Sequence, residues 1–162
     1  MADEVVAGLF REHGLPLVRL AVLLTGDQAT AEDVVQDAFL AFQRALPRLH
    51  DEDKALAYLR ASVVNGSRSV LRRRGRVQFR RDEDGPPVLS AEAAVMAEQD
   101  RRLVLVAVSR LPVRMREILA LRYYLDLPYE EIAALLGVTK GTVSSTISRA
   151  LAALGRDLKE EL

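Results

Sequence analysis

The sequence predicts an all-α protein with two small helical domains joined by a flexible linker. Alanine, leucine, arginine and glutamate are the commonest helix formers among the 162 residues, and no stretch alternates apolar and polar residues with period two. Apolar residues instead recur at helical spacing in blocks that end near glycine or proline. Residues 75–90 lack such a period and contain a Gly-Pro-Pro break, so the domains are predicted at 1–74 and 91–162.

The first block predicts a helix over residues 5–24, bent or broken near residues 14–16, where a proline follows a glycine. A second helix is predicted over residues 31–46. Thr30 and Asp33 have the spacing of a capping box, in which Thr30 is the N-cap and Asp33 faces the exposed amides. The predicted buried stripe of this helix consists of Val35, Ala38 or Phe39, Phe42 and Leu46.

A polar loop over residues 47–54 precedes a third predicted helix over residues 55–73. Gly66 weakens this helix by about 1 kcal/mol relative to alanine. It either lets a partner approach closely or marks a kink, and we favour the kink. The candidate core positions are Leu56, Leu59, Val63, Val64, Val70 and Leu71.

The second domain is predicted to contain helices over residues 91–110, with Ser90 as N-cap, and over residues 113–125. Residues 129–154 then predict two helices joined by a tight turn at Gly137. The first carries the apolar stripe Ile132, Ala133 and Leu136, and the second carries Val143, Ile147, Ala150 or Leu151, and Leu154. Burying both stripes requires a steep crossing, which is the geometry of a helix-turn-helix, although an ordinary helical hairpin is the alternative.

The net charge is zero, but the charge is unevenly distributed along the chain. Residues 64–81 contain seven arginines and no acid, whereas residues 1–63 carry −4 and residues 82–162 carry −3. Salt screens charges beyond about 8–10 Å, so a polyanion responds to the local arginine patch rather than to the net charge. The patch therefore favours nucleic-acid binding over its alternatives, a solvated helix end or a nonspecific polyanion site.

The composition argues against an enzyme, a metal site and a membrane protein. There is no cysteine, and the two histidines, His13 and His50, lie in different segments without metal-ligand neighbours at useful spacing. No glycine-rich phosphate loop, signal peptide or membrane-length apolar run is visible. We expect no cofactor, no small-molecule substrate, no membrane insertion and a cytoplasmic location.

The segments LLTGDQATAEDVVQDAFLAF and AYLRASVVNGSRSVLRRR resemble region 2 of the extracytoplasmic-function (ECF) sigma factors of bacterial RNA polymerase. The segment LPVRMREILALRYYLDLPYEEIAALLGVTKGTVSSTISRAL resembles region 4 of the same family. The match covers nearly the whole chain in the family's order, and the combination of motifs is very specific. The variant is similar to actinobacterial members of the sigma-E-like group.

The resemblance implies a polymerase-binding face on the second helix. Four residues share the face opposite the buried stripe at i, i+3, i+4 and i+7: Asp33, Gln36, Asp37 and Leu40. Carboxylates and an amide around an exposed leucine suit a partner with basic residues around an apolar spot. A solvated face, with Asp33 serving only as a cap, is the alternative. In the family this helix docks on the β′ clamp helices of core RNA polymerase, which also binds through its β subunit.

The resemblance also implies that the third helix and the loop before it bind the −10 promoter element and capture a flipped base. The expected residues are Arg48, His50, Tyr58, Asn65, Arg68, Arg72, Arg73 and Arg74. Arginines neutralise phosphates and Asn65 offers a donor and an acceptor to a base edge. The chain lacks the tryptophan common in the family, so Tyr58 is the candidate aromatic, with plain core as an equal alternative. Three acids at residues 51–53 predict few and specific contacts from the loop.

By the same resemblance the second helix of the helix-turn-helix reads the −35 element. Its expected contacts are Lys140, Gly141, Thr142, Ser144, Ser145, Ser148 and Arg149. Hydroxyls release no counterions, so we expect weak affinity for an isolated −35 duplex. The leading hypothesis is thus an alternative sigma factor held inactive by an anti-sigma factor. An autonomous helix-turn-helix regulator of duplex DNA is the second hypothesis.

Overall fold

The computed structural model describes residues 1–49, 51–78 and 99–161, and its regular elements there are all helical. The all-α prediction is confirmed. The chain divides into two compact units, Met1–Asp82 and Glu83–Leu162. The boundaries of the predicted linker stay a prediction, because much of that segment and the proposed cap Ser90 lie outside the described residues.

Three long helices build the first unit: α1 (Ala2–Thr25), α2 (Gln28–Ala45) and α3 (Glu52–Gln78). A short 3₁₀ turn, Leu46–Arg48, follows α2. Each helix packs against the other two. The side chains fully enclosed between them include Leu17, Leu20, Leu24, Val35, Phe42, Leu59, Val63 and Val64. The predicted stripes of the second and third helices therefore lie in the core, with Leu46, Leu56, Val70 and Leu71 only half-buried at its edge.

Of the two alternatives predicted near residues 14–16, the break is wrong, because α1 is one continuous helix with Pro16 in its interior. The bend stays a prediction. Proline inside a helix costs about 3 kcal/mol. Leu9, Leu17 and Leu20 are buried on the same helix, and each buried leucine recovers roughly 1.5–3 kcal/mol. Tertiary packing on both sides of the proline therefore outweighs the local preference.

The predicted N-cap of the second helix is also wrong. α2 begins at Gln28, so Asp27 is its N-cap and accepts a 2.9 Å hydrogen bond from the Thr30 backbone N–H. The preceding Gly26 is left-handed, with φ 79°, and its N–H closes α1 on the Val22 carbonyl at 2.7 Å. Gly26, in the left-handed conformation, thus ends α1, and the adjacent Asp27 begins α2.

The third helix is longer than predicted and runs past Gly75 into the predicted linker. The helix is assigned without interruption at Gly66. A Cβ built on Gly66 would lie 3.1 Å from Cγ1 of Val34 in α2. Close approach of the two helices, rather than the kink that we favoured, therefore accounts for this glycine.

The second unit contains α4 (Gln99–Ser109), α5 (Val113–Leu119), α6 (Tyr129–Leu136) and α7 (Lys140–Glu161). The predicted helix over residues 113–125 is α-helical only to Leu119, because Ala120–Tyr124 form a π turn closed from the Leu125 N–H to the Ala120 carbonyl at 3.2 Å. α7 packs against α4, α5 and α6. Its buried residues include Val143, Ile147 and Ala150, whereas Leu151 is exposed, so Ala150 completes the predicted stripe.

The turn between α6 and α7 has the geometry that the glycine predicts. Gly137 is left-handed, with φ 68°, and its N–H caps α6 on the Ala133 carbonyl. Thr139 then accepts a 3.1 Å hydrogen bond from the Thr142 N–H and so caps the start of α7. Ile132 and Ala133 are buried against α7 as the helix-turn-helix pattern requires.

Within the described ranges, no helix combines the length and apolar character needed to cross a lipid bilayer.

Candidate nucleic-acid and partner interfaces

The acidic face of α2 is exposed along its length. Asp33, Gln36 and Asp37 are exposed, and the Leu40 side chain is 49% exposed. The opposite face buries Val34, Val35, Ala38 and Phe42. Because Asp27 caps the helix, Asp33 is not the capping residue and lies on the exposed face with the other three. The face therefore presents carboxylates around an exposed leucine, a chemistry suited to a basic partner surface with an apolar spot.

Part of the expected −10 set lies on one face of α3. Asn65, Arg68 and Arg72 follow one another at i, i+3 and i+7. Asn65, Arg72 and the neighbouring Arg73 are exposed, whereas Arg68 is half-buried. This face combines an amide, which can read a base edge, with guanidinium groups, which can bind phosphates.

Arg74 occupies a different position from its neighbours. Its guanidinium donates to the Thr25 carbonyl at 2.9 Å and to the Thr30 hydroxyl at 2.5 Å. The Asp27 carboxylate lies 3.5 Å away. The side chain is thus engaged with the turn between α1 and α2, a placement that the sequence-based expectation of a DNA contact did not include.

Tyr58 lies half-buried against α2 rather than projecting freely from α3. Its hydroxyl donates to the Ala41 carbonyl at 3.5 Å, and its ring centroid is 6.2 Å from that of Phe42. One edge of the ring thus belongs to the core. Tyr58 as a whole is half-buried, so part of its surface remains exposed.

The loop before α3 contributes one exposed arginine and one helix cap. Arg48 is exposed at the end of the 3₁₀ turn, while His50 lies outside the described residues. The carboxylate of Asp51 accepts from the Asp53 N–H at 3.1 Å. Asp51 is therefore occupied in starting α3, which gives one of the three loop acids a structural role.

All seven expected −35 residues lie on the exposed side of α7: Lys140, Gly141, Thr142, Ser144, Ser145, Ser148 and Arg149. Two of the serines bond to their own helix: Ser145 donates to the Thr142 carbonyl and Ser148 to the Ser144 carbonyl, each at 3.2 Å. Arg149 donates to the hydroxyl of Thr146, a buried residue, at 3.2 Å. The recognition surface is thus hydroxyl-rich, with a cation at each end.

The cation at the start of α7 is paired. The Lys140 Nζ lies 2.6 Å from the carboxylate of Glu130, in the first turn of α6. The bond from Lys140 holds the pKa of the Glu130 carboxyl below its usual range and raises the pKa of the Lys140 ammonium. Glu130, like the caps Asp27 and Thr139, was missed by sequence reasoning. The Asp-x-x-Thr and Thr-x-x-Thr spacings could have indicated the caps, whereas the ion pair depends on how the two helices cross.

Two family profiles match the chain in the order of the two units. Residues 9–77 match sigma-70 region 2, and residues 101–154 match sigma-70 region 4. The chain is 34% identical over 158 residues to the ECF RNA polymerase sigma factor SigL of Mycobacterium tuberculosis, covering 94% of this chain and 88% of that protein. The chain belongs to the ECF sigma factors. It is an alternative sigma factor that directs transcription initiation, and sigma factors are non-catalytic regulators.

Other relatives of this sigma factor agree with that assignment. The RNA polymerase sigma-E factor of Streptomyces avermitilis is 31% identical over 143 residues, covering 88% of this chain and 79% of that protein. The sigma factor RpoE, solved in complex with the anti-sigma factor NepR from Bartonella quintana, superposes with a TM-score of 0.76 at 26% identity and covers 94% of this chain and 97% of that one. These matches do not favour the interpretation as an autonomous regulator.

Proposed function

We propose that this sigma factor docks on the β′ clamp helices of core RNA polymerase, with further contacts to the β subunit. The docking residues are Asp33, Gln36, Asp37 and Leu40. The protein then opens the −10 element with α3 and reads the −35 element with α7. The observation that carries this proposal is the exposed face of α2, where Leu40 is 49% exposed among carboxylates. A leucine so exposed, on a helix whose other face is fully packed, gains stability from a partner that covers it.

Support for the −10 role comes from the exposed Asn65, Arg72 and Arg73 of α3. A flipped base costs a few kcal/mol to extract, and stacking with phosphate neutralisation recovers that cost. The exposed part of Tyr58 supplies the aromatic surface, and Arg48 adds a cation from the preceding loop.

Support for the −35 role comes from the exposed hydroxyls of α7 and from its two exposed cations Lys140 and Arg149. The N–H groups at the start of the helix, near Gly141 and Thr142, can hold a phosphate. Because Lys140 and Arg149 are the only cations among the seven expected contact residues, affinity for a −35 duplex depends on the polymerase-bound state.

The activity takes place in the cytoplasm, with the protein at the nucleoid when it is bound to polymerase. An anti-sigma factor is the proposed inhibitor. Support comes from the similar fold of RpoE, which was solved with the anti-sigma factor NepR. Isolation of the native protein should recover such a partner, and repeated recovery of polymerase alone would contradict this part of the proposal.

The first test is competition for core bacterial RNA polymerase against a housekeeping sigma factor, followed by run-off transcription on fragmented genomic DNA. Asp37→Lys should weaken polymerase binding by about tenfold, since reversing one charge at a complementary interface costs roughly 1.4 kcal/mol or more. Glu12→Lys, the same reversal at an exposed position of α1, is the matched control and should change binding less than about twofold. Equal effects of the two substitutions would remove α2 from the interface.

A second test separates docking from promoter opening. Asn65→Ala should reduce open-complex formation more than polymerase binding, because Asn65 is exposed on α3 and is not one of the four α2 residues proposed to bind polymerase. Equal losses in both assays would instead indicate misfolding.

A further inference from the structure

The turn between α1 and α2 brings together two helix ends that need opposite charges. The C-terminal carbonyls of a helix carry a partial negative charge and lack partners within the helix. The last turn of α1 contains no basic residue that could complement them. A cation from elsewhere in the fold is therefore favourable at Thr25, where α1 ends.

Arg74 supplies that cation from a position 49 residues away in the sequence. One Nη donates to the Thr25 carbonyl at 2.9 Å, and the other donates to the Thr30 hydroxyl at 2.5 Å. Thr30 in turn donates its hydroxyl proton to the Asp27 carboxylate, which lies 3.5 Å from the guanidinium. We call Arg74, Thr25, Asp27 and Thr30 the Arg74 cluster.

The Arg74 cluster uses both arms of the guanidinium fork. A phosphate bound to Arg74 would have to displace the carbonyl and the hydroxyl, leaving the end of α1 without its cation. Arg72 and Arg73 face no such competition from the α1–α2 turn, and both are exposed. The Arg72 guanidinium donates to the hydroxyl of Ser69, one turn earlier in α3, at 3.4 Å.

We propose that Arg74 is a positioning residue for promoter opening: its bonds to the α1–α2 turn hold the C-terminal part of α3 in place, and they thereby direct Arg72 and Arg73 towards the DNA phosphates without Arg74 itself binding one. This proposal rests on the proposed −10 role of α3. It replaces the expectation, drawn from the family resemblance, that Arg68, Arg72, Arg73 and Arg74 all contact DNA.

The geometry distinguishes arginine from lysine at position 74. A phosphate contact needs mainly a positive charge, which lysine retains. The Arg74 cluster needs two donors in a planar fork that reach a carbonyl and a hydroxyl at the same time, and a single ammonium on a flexible stem does not reproduce that. Arg74→Lys should therefore behave like Arg74→Ala in this protein.

The decisive experiment measures open-complex formation and its salt dependence, using holoenzyme and a promoter obtained from the run-off assay. Arg72→Ala, the matched control, should reduce the slope of log K against log salt by about 0.7–0.9, the loss of one phosphate contact. Arg74→Ala and Arg74→Lys should lower opening by similar factors, about tenfold, and should reduce the slope by similar amounts, because both release Arg72 and Arg73 from their positions at the phosphates. Near-normal opening and a near-normal slope in Arg74→Lys, with losses of both in Arg74→Ala, would indicate a direct phosphate contact and would overturn the proposal.

A double-mutant cycle tests the path through Thr30. Thr30→Val removes the hydroxyl that accepts from Arg74, with little change in volume. The loss of opening in the double variant with Arg74→Ala should therefore be at least about threefold smaller than the product of the two single losses. Thr30→Val combined with Arg48→Ala, a cation of the preceding loop that lies outside α3, should be additive within about twofold. Additive effects for Thr30 and Arg74 would contradict the cluster's role in opening.

Amide hydrogen exchange in the free protein provides a readout that does not depend on polymerase. Residues 71–75 should exchange faster in Arg74→Lys and Thr30→Val than in the wild type, and at the wild-type rate in Arg72→Ala. Unchanged exchange in the first two variants would show that the cluster does not hold α3. Failure of the wild-type protein to bind polymerase would contradict the proposed function itself, and that outcome is distinguished by the competition assay, which precedes these measurements.

Discussion

Lys140 and Glu130 join the two helices of the helix-turn-helix through a 2.6 Å contact between the ammonium and the carboxylate. Lys140 is also one of the two cations on the recognition face of α7. The same ammonium cannot neutralise a phosphate fully while it is bound to Glu130. If α7 has the proposed −35 role, we expect the pair to oppose phosphate binding by Lys140.

Glu130→Gln should increase the affinity of the holoenzyme for promoters that depend on a −35 element. An exposed ion pair is weak, so the expected gain is between about 1.5-fold and fivefold at low salt, and it should shrink as salt screens the pair. Glu131→Gln is the matched control, since it removes an equally exposed neighbouring charge. Equal gains from both substitutions would indicate general charge repulsion instead of release of Lys140.

The acid stability of the first unit should depend on Asp27. Hydrogen bonds from the Thr30 hydroxyl and backbone N–H, with a smaller contribution from Arg74, hold the pKa of the Asp27 carboxyl below its usual range. A lowered folded-state pKa contributes stability that is present above the unfolded pKa, about 3.9, and is lost as the pH falls through the folded value.

This dependence can be measured by NMR titration of the Asp27 carboxyl and by urea unfolding between about pH 2 and pH 6. Thr30→Val removes the hydroxyl donor, so the Asp27 pKa should rise towards its ordinary value. Asp27→Asn keeps a capping side chain but should flatten the loss of stability at acid pH. A Thr30→Val protein with the wild-type Asp27 pKa would refute this account.

Gly66 and Gly75 should respond differently to alanine, although both lie in α3. A Cβ at Gly75 meets no atom within 4 Å, so Gly75→Ala should stabilise the protein by about 0.5–1 kcal/mol through helix propensity. A Cβ at Gly66 would lie 3.1 Å from Val34, so the gain should be lost there, and Gly66→Val should cost about 1–3 kcal/mol. Urea unfolding of the three variants provides the measurement, and an equal gain from both alanines would show that α2 and α3 are not closely packed.

Arg149→Ala and Ser145→Ala should weaken transcription mainly from promoters with a −35 element. Arg149 carries charge, so its loss should reduce the salt slope of duplex binding by about 0.9, whereas loss of the Ser145 hydroxyl should leave the slope unchanged. Run-off transcription from paired templates with and without the −35 element is the measurement. Equal losses on both templates would place these residues outside −35 recognition.

The family and fold class could be predicted from the sequence because they depend on local patterns. The stripe containing Val35 and Phe42 has helical spacing, and both residues are buried as predicted. Gly137 interrupts a second stripe and adopts the left-handed conformation that a tight turn requires. The exposed residues of α2 and α7 follow by geometry from their buried stripes, which is why their exposure could be predicted from spacing alone.

Other features depend on contacts between residues distant in sequence, and local patterns do not encode them. Pro16 suggested a break, but leucines buried on both sides of it keep α1 continuous. Gly66 suggested a kink, but the close approach of Val34 from α2 explains why a glycine is present at this position. In both cases the prediction relied on a local helix propensity of about 1–3 kcal/mol. It did not include the packing between helices, which contributes more.

By itself, the sequence determined that this protein is a two-unit helical ECF sigma factor with an acidic helix, an arginine-bearing helix and a hydroxyl-rich recognition helix. Only the tertiary structure decided which charges on those helices are available. Arg74 and Arg72 are indistinguishable in an arginine run, yet Arg74 binds Thr25 and Arg72 is exposed. The physical reason is that a guanidinium or ammonium binds the acceptors that the fold brings within about 3 Å of it. The way in which the helices pack against each other sets that distance.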